Sequence, residues 1–215
     1  MPTYYHLRRA VVFAVLLFLC AGATLRAAAT FEAPVFSWKL MKSTNNIKVY
    51  QRSSDQSSID EIRIKAVFKT ELNHFLTLLS DASRYPEWVF KCSGSRRVRT
   101  VSPTEFYYYV LTDFPWPLAD RDLVVHSTQH HDPVTGDLIL TSRSAPKFVE
   151  EVSNVVRIQL FATTWRVTTP QPNQVNIDYQ VVTDPAGSLP DWVVNLGLTR
   201  GPLQTMINFT ELVER

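Results

Sequence analysis

Val175-Asn176-Ile177-Asp178-Tyr179-Gln180-Val181 places an apolar side chain at every second position and a polar one between. Strand side chains alternate between faces, so this stretch reads as a strand with one apolar and one wet face. The period then changes. Leu189, Trp192, Val193, Leu196, Leu203, Ile207 and Leu212 form an interrupted apolar stripe at helical spacing. Gly201-Pro202 falls inside it, where a kink or a split in two is expected. A one-faced sheet and an apolar-striped helix bury each other. The class that follows is α+β, a sheet closing on a C-terminal helix.

Upstream residues supply the rest of that sheet. Ile47 to Arg52 and Ile59 to Phe68 read as strands joined by the polar loop 53–58. Leu72, Phe75, Leu76 and Leu79 then fall at helical spacing, with Thr70 as the expected N-cap. A second short helix is expected over Ala82 to Tyr85, ended by Pro86 and Trp88. Further strands are expected at Val98 to Val101, Glu105 to Thr112 and Leu123 to Thr128. After a turn at His131 to Asp137, Leu138 to Ser142 returns. Val155 to Leu160 and Thr164 to Val167 read as one long bulged strand, because their apolar parity shifts. Short turns between consecutive strands imply antiparallel pairing.

Residues 1–29 stand apart and read as an export signal, leaving 30–215 as the domain. Arg8 and Arg9 precede an apolar run from Ala10 to Ala23, short for a membrane span, and Ala27-Ala28-Ala29 offers a cleavage site. The competing reading is an uncleaved membrane anchor. The 215 residues carry a formal charge of +2. Without Arg8, Arg9 and Arg26 the basic residues number 19 against 20 acidic, a charge of −1. That balance argues against nucleic-acid binding. Losing Cys20 leaves Cys92 alone, so no internal disulfide is expected and the core must supply the stability.

Several stretches, in order, resemble the START domain, the StAR-related lipid-transfer family. Asp81-Ala82-Ser83-Arg84-Tyr85-Pro86-Glu87-Trp88 resembles its short helix ending in Trp. Phe114-Pro115-Trp116-Pro117-Leu118-Ala119-Asp120-Arg121-Asp122 resembles its proline-rich turn before Arg-Asp at a strand start. Val155-Val156-Arg157 followed by Trp165 resembles a long sheet strand, and Asp184 to Asn195 resembles the approach to the C-terminal helix. The resemblance spans about residues 35 to 215 and implies a helix-grip fold. In it a curved antiparallel sheet wraps a long C-terminal helix around an internal apolar cavity. The family's N-terminal helix is expected to be reduced to Phe36 to Ser43. Strand parity and resemblance together nominate Tyr108, Val110, Leu123, Val125, Trp165, Ile177, Tyr179, Trp192 and Leu196 as cavity lining. The competing reading is a solid core made of the same residues. Sterol-carrying members have an acid and a base facing the cavity. The matching places fall near Tyr108 and Ser127, neither charged, so a sterol is not supported.

Other constellations have structural readings beside functional ones. Arg121 and Asp122 suit a charged network at the cavity mouth or a turn-locking pair. Arg157 is expected to meet a ligand head group or a partner such as Asp178 or Glu151. His126 and His130 would lie about 13 Å apart on an extended strand, too far to share a metal. Cys92 beside Lys91 could have some thiolate character, but no base stands at readable spacing. No catalytic residue, metal or cofactor is assigned. The expected function is an exported, monomeric, non-enzymatic binder and carrier of a lipid or other hydrophobic molecule. Transient membrane contact is part of that expectation: Trp116 and Trp192 would suit it if exposed, although burial is the commoner outcome for tryptophan. The alternative is a cyclase or aromatase of the same helix-grip superfamily, which would need an inward acid or base. A protein partner at the sheet edge is a third reading.

Overall fold

The computed structural model describes residues 37–215, except residues 45 and 188 and the side chains of residues 191, 195, 196 and 199. The expected signal at 1–29 lies outside these residues. The described part belongs to one compact unit, Phe36–Arg215.

Strand β3 (Glu61–Phe68) shows the alternation its sequence predicts. Ile62, Ile64, Ala66 and Phe68 are buried, while Lys65 and Val67 are exposed. On one side it pairs with β2 (Ile47–Arg52), which pairs in turn with β1 (Lys39–Ser43). The stretch expected to hold a vestigial N-terminal helix is therefore an edge strand. The other strands are β4 (Cys92–Ser102), β5 (Glu105–Thr112), β6 (Arg121–His131), β7 (Leu138–Ser144), β8 (Val156–Arg157), β9 (Leu160–Gln171) and β10 (Gln174–Asp184). They form a single ten-stranded sheet in the order β1-β2-β3-β10-β9-β7-β6-β5-β4, with β8 beside β6. Every pairing on that path is antiparallel.

The bulged strand expected from Val155 to Val167 is instead two elements. β8 pairs parallel with the start of β6, through Arg121↔Val156 and Asp122↔Arg157. β9 pairs with β7 and β10. The parity shift in the sequence marks a crossing between places in the sheet. A buried ion pair holds the crossing. Arg157 Nε and Nη2 donate to the two Asp122 carboxylate oxygens at 2.6 and 2.9 Å. The same guanidinium also donates to the carbonyls of Pro146, Val149 and Glu150. A buried charge survives only when paired and fully hydrogen-bonded, and this one is.

Helix α1 (Leu72–Ser80) begins after an extended Glu71 with no side-chain cap, so Thr70 does not cap it. A 3₁₀ turn at Ala82–Arg84 is capped by Asp81, which accepts the Ser83 N–H. It leads into α2 (Tyr85–Trp88). Pro86 sits in the first turn of α2 and does not end it, since a first-turn N–H has no intrahelical partner to lose. The C-terminal stripe splits as expected into α3 (Asp191–Asn195), a π-helical turn at Leu196–Arg200 and α4 (Gly201–Val213), with Pro202 in the first turn of α4.

The face of α4 bearing Met206, Phe209 and Val213 is buried. Phe209 meets Phe68 and Phe75 edge-on, at 5.6 and 5.4 Å between ring centroids. Phe68 and Phe75 lie 5.4 Å apart, closing the triangle. Ile47, Val49, Ile64 and Val175 surround these rings at 1% exposure or less. Burying each such side chain stabilises the fold by roughly 1.5–3 kcal/mol.

Candidate ligand cavity

Beyond this plug the sheet and the C-terminal segment part. A cavity of about 390 Å³ lies between them. The inner faces of β5, β6, β7, β9 and β10 form one wall. Val193, Gly197, Gly201 and Met206 of the helical segment contribute to another, and Leu79, Tyr85 and Trp88 reach in from α1 and α2.

Register explains which residues meet. Phe106, Tyr108 and Val110 of β5 stand opposite Ser127, Val125 and Leu123 of β6. Ser127 stands opposite Ser142, and Ser142 opposite Thr163. One step along, Leu140 faces Trp165, and Trp165 faces Tyr179. The Trp165 and Tyr179 rings touch at 4.3 Å. Tyr108, Val110, Leu123, Trp165 and Tyr179 line the cavity.

The remaining nominated positions fall elsewhere. Val125 and Ile177 are buried, but neither reaches the cavity wall. Ile177 pairs across to Val167 and Ala66 and belongs to the packed core. Parity fixes the face a side chain takes, and its neighbours decide whether it reaches the void. Trp192 is 55% exposed and is corrected from lining to surface. The side chain of Leu196 lies outside the described residues. Sequence reasoning missed Ser142, Thr163 and Trp88. Thr163 fell in the gap between the two halves read as strand, 155–160 and 164–167, and as a polar residue it gave no apolar signal. Trp88 was hidden on a helical turn that the sheet pattern does not reach.

The electrostatics of the interior follow from its dryness. Burial pushes the Tyr108 hydroxyl up to about 12, partly offset by a hydrogen bond with Ser142. Burial also raises Tyr179, with Tyr108 adding to the effect. Tyr85 rises well above its ordinary value, chiefly by burial, and its hydroxyl donates to the Leu79 carbonyl at 3.0 Å. Burial raises the Cys92 thiol too, which corrects the expectation of thiolate character.

Charge sits at the rim. Among the described residues the lining holds neither His nor Glu, and its two charged side chains, Lys91 and Asp113, are exposed. The Asp113 N–H donates to the Lys91 carbonyl at 2.9 Å, joining the turn after α2 to the loop after β5. Arg121 ties the same loop to the approach to α3. Its guanidinium lies 4.2 Å from the Phe114 ring and donates to the carbonyls of Ala119, Pro185 and Ala186. Ala186 and Gly187 both take positive φ there, an uncommon conformation for alanine. Arg121 and Asp122 are thus not each other's partners. Arg157 meets Asp122, not Asp178 or Glu151, and Asp178 pairs with Arg63. His126 bonds Glu105 at 2.8 Å, outside the cavity lining. Trp116, at 90% exposure, stands beside Pro115 of the rim.

A curved antiparallel sheet gripping a C-terminal helix over an apolar cavity defines the helix-grip class. A family model for the START domain matches residues 25–209, and the chain belongs to that family. An uncharacterized protein of Pseudomonas aeruginosa is 26% identical over 196 residues, covering 89% of this chain and 96% of its own. The crystal structure of a STAR-related lipid transfer protein from Xanthomonas axonopodis has a TM-score of 0.74 at 26% identity, covering 83% of this chain and 99% of that one. Human StAR-related lipid transfer protein 5 shares the fold, with a TM-score of 0.70 at 16% identity, over 95% of this chain and 93% of its own.

Proposed function

We propose that this protein binds and carries a lipid or other hydrophobic molecule, without catalysis, after export and removal of residues 1–29. The observation that carries this reading is the apolar cavity of about 390 Å³ between the sheet and the helical segment. Its volume lies within the range of small-molecule sites, which are mostly apolar with a few placed polar groups. The family membership and the lipid transfer protein from Xanthomonas axonopodis support it. Affinity comes from burial, at roughly 25 cal/mol per Å² of apolar ligand surface removed from water. A cyclase would need an acid or base facing the substrate, and the charged lining residues sit exposed at the rim, so that reading ranks lower.

Release requires the rim to open. Trp116 and Trp192 are exposed on the segments flanking it, and tryptophan suits the membrane–water boundary. The protein therefore touches a membrane transiently as a monomer while it loads or unloads. The test is native mass spectrometry of the protein purified from its own host. A bound species of lipid mass, released on denaturation, is expected. Protein that stays empty and takes up no lipid from vesicles would overturn the carrier reading. The mass of the same sample reports whether residues 1–29 have been removed, and where.

A further inference from the structure

The inside of the cavity bears on what kind of molecule it accepts. Ser127, Ser142 and Thr163 stand side by side on β6, β7 and β9, in register across the sheet, and all three line the cavity. They are 5%, 5% and 7% exposed. The Ser142 hydroxyl donates to the Ser127 oxygen at 3.1 Å. Each hydroxyl has one hydrogen and two acceptor lone pairs, so the row keeps hydrogen-bonding capacity beyond that one bond. Tyr108 adds a fourth neutral hydroxyl beside it.

Charge narrows the class further. Among the described residues the interior has no cation to balance an anionic head and no carboxylate to balance a cationic one, since Lys91 and Asp113 are exposed at the rim. An ionised group taken inside would lose its hydration without compensation.

We infer that the ligand is a neutral molecule carrying an uncharged oxygen acceptor, an ester or carbonyl, held by the Ser127-Ser142-Thr163 hydroxyl row. The inference rests on the carrier reading and narrows it.

The probes are methyl laurate, sodium laurate, dodecane and phosphatidylcholine vesicles, each titrated into full-length protein stripped of bound lipid. Displacement of a fluorescent fatty ester is the readout. Methyl laurate should bind more tightly than dodecane and than laurate at pH 8, and the vesicles should not compete. Ser142→Ala should weaken methyl laurate roughly three- to tenfold, the worth of one hydrogen bond, while leaving dodecane unchanged. Ser127→Ala should act in the same direction and keeps the test available if Ser142→Ala does not fold. Binding of all probes with equal affinity, unmoved by either substitution, would overturn the inference and leave the carrier reading standing. Preferential binding of laurate or phosphatidylcholine would overturn it likewise. Failure of every probe would instead count against the carrier reading itself.

Discussion

The two ends of the sheet–helix layer are built from the same kinds of residue and turn out differently. At one end, Phe209 of α4 drops between Phe68 and Phe75, and the space is filled. At the other, Val193, Gly197 and Gly201 face Tyr108, Val110, Leu123 and Trp165 across about 390 Å³. The strands at both ends alternate in the same way. What differs is the helix side, where a large aromatic residue on α4 gives way to glycine and a π-helical turn. Whether the layer is solid or hollow is thus set by the partner of the sheet, and the apolar pattern of the sheet is the same in both cases.

The comparison can be broken most forcefully at the filled end. Phe209→Ala should cost about 3–5 kcal/mol, because Phe68, Phe75 and Trp88, whose ring lies 4.6 Å from that of Phe209, lose a close-packed partner and cannot all collapse inward. Denaturant unfolding measures it, and a loss below 1 kcal/mol would mean that this end is not tightly packed. Asp122→Ala should cost a similar ~3–5 kcal/mol by leaving the Arg157 guanidinium buried without its counter-charge. Replacing both partners with apolar residues should recover part of that loss, which separates the unmatched charge from lost packing.

The hollow end has a signature in alkali. Tyr108 and Tyr179 have folded-state values above the ordinary tyrosine value. The folded protein therefore holds its phenolic protons more tightly than the unfolded chain. Their contribution is fully present below about pH 10, the unfolded value, and for Tyr108 is lost as pH rises through its folded value near 12. Stability should fall by up to about 1.4 kcal/mol per pH unit per tyrosine in that window. Tyr179→Phe should make the slope shallower. An unchanged slope would mean that Tyr179 is not held dry.

Filling the void should do little to stability and much to uptake. Val110→Trp in a solid core would cost about 1–3 kcal/mol, while here it should cost less than about 1 kcal/mol and abolish displacement of a fluorescent fatty ester. The smallest effect on folding is expected at the rim. Trp116→Ala should leave stability within about 0.5 kcal/mol, as exposed substitutions usually do, while reducing co-sedimentation with vesicles. Undiminished sedimentation would remove Trp116 from membrane contact.

The sheet was largely legible because period-two alternation is a local property. β3 and β10 follow from their own residues. β1 was not legible, since Lys39–Ser43 is exposed along most of its length and carries no apolar rhythm. The break between β8 and β9 was misread as a bulge because a parity shift is the same in sequence whether a strand bulges or the chain changes place. Of the site, Tyr108, Val110, Leu123, Trp165 and Tyr179 followed from alternation plus family resemblance. Val125 and Ile177 share the inner face but not the void, and Trp192 points outward.

By itself, the order of residues determined the alternating faces, the break at Gly201-Pro202 and hence the class of a sheet closed on a C-terminal helix. These depend on contacts between chain neighbours, which periodicity records. Only the tertiary structure decided that Asp122 belongs to Arg157, that Ser127, Ser142 and Thr163 form one row, and that Phe209 stops short of the void. Those partners are far apart in the chain, and their meeting depends on register and on the space left between a helix and a sheet.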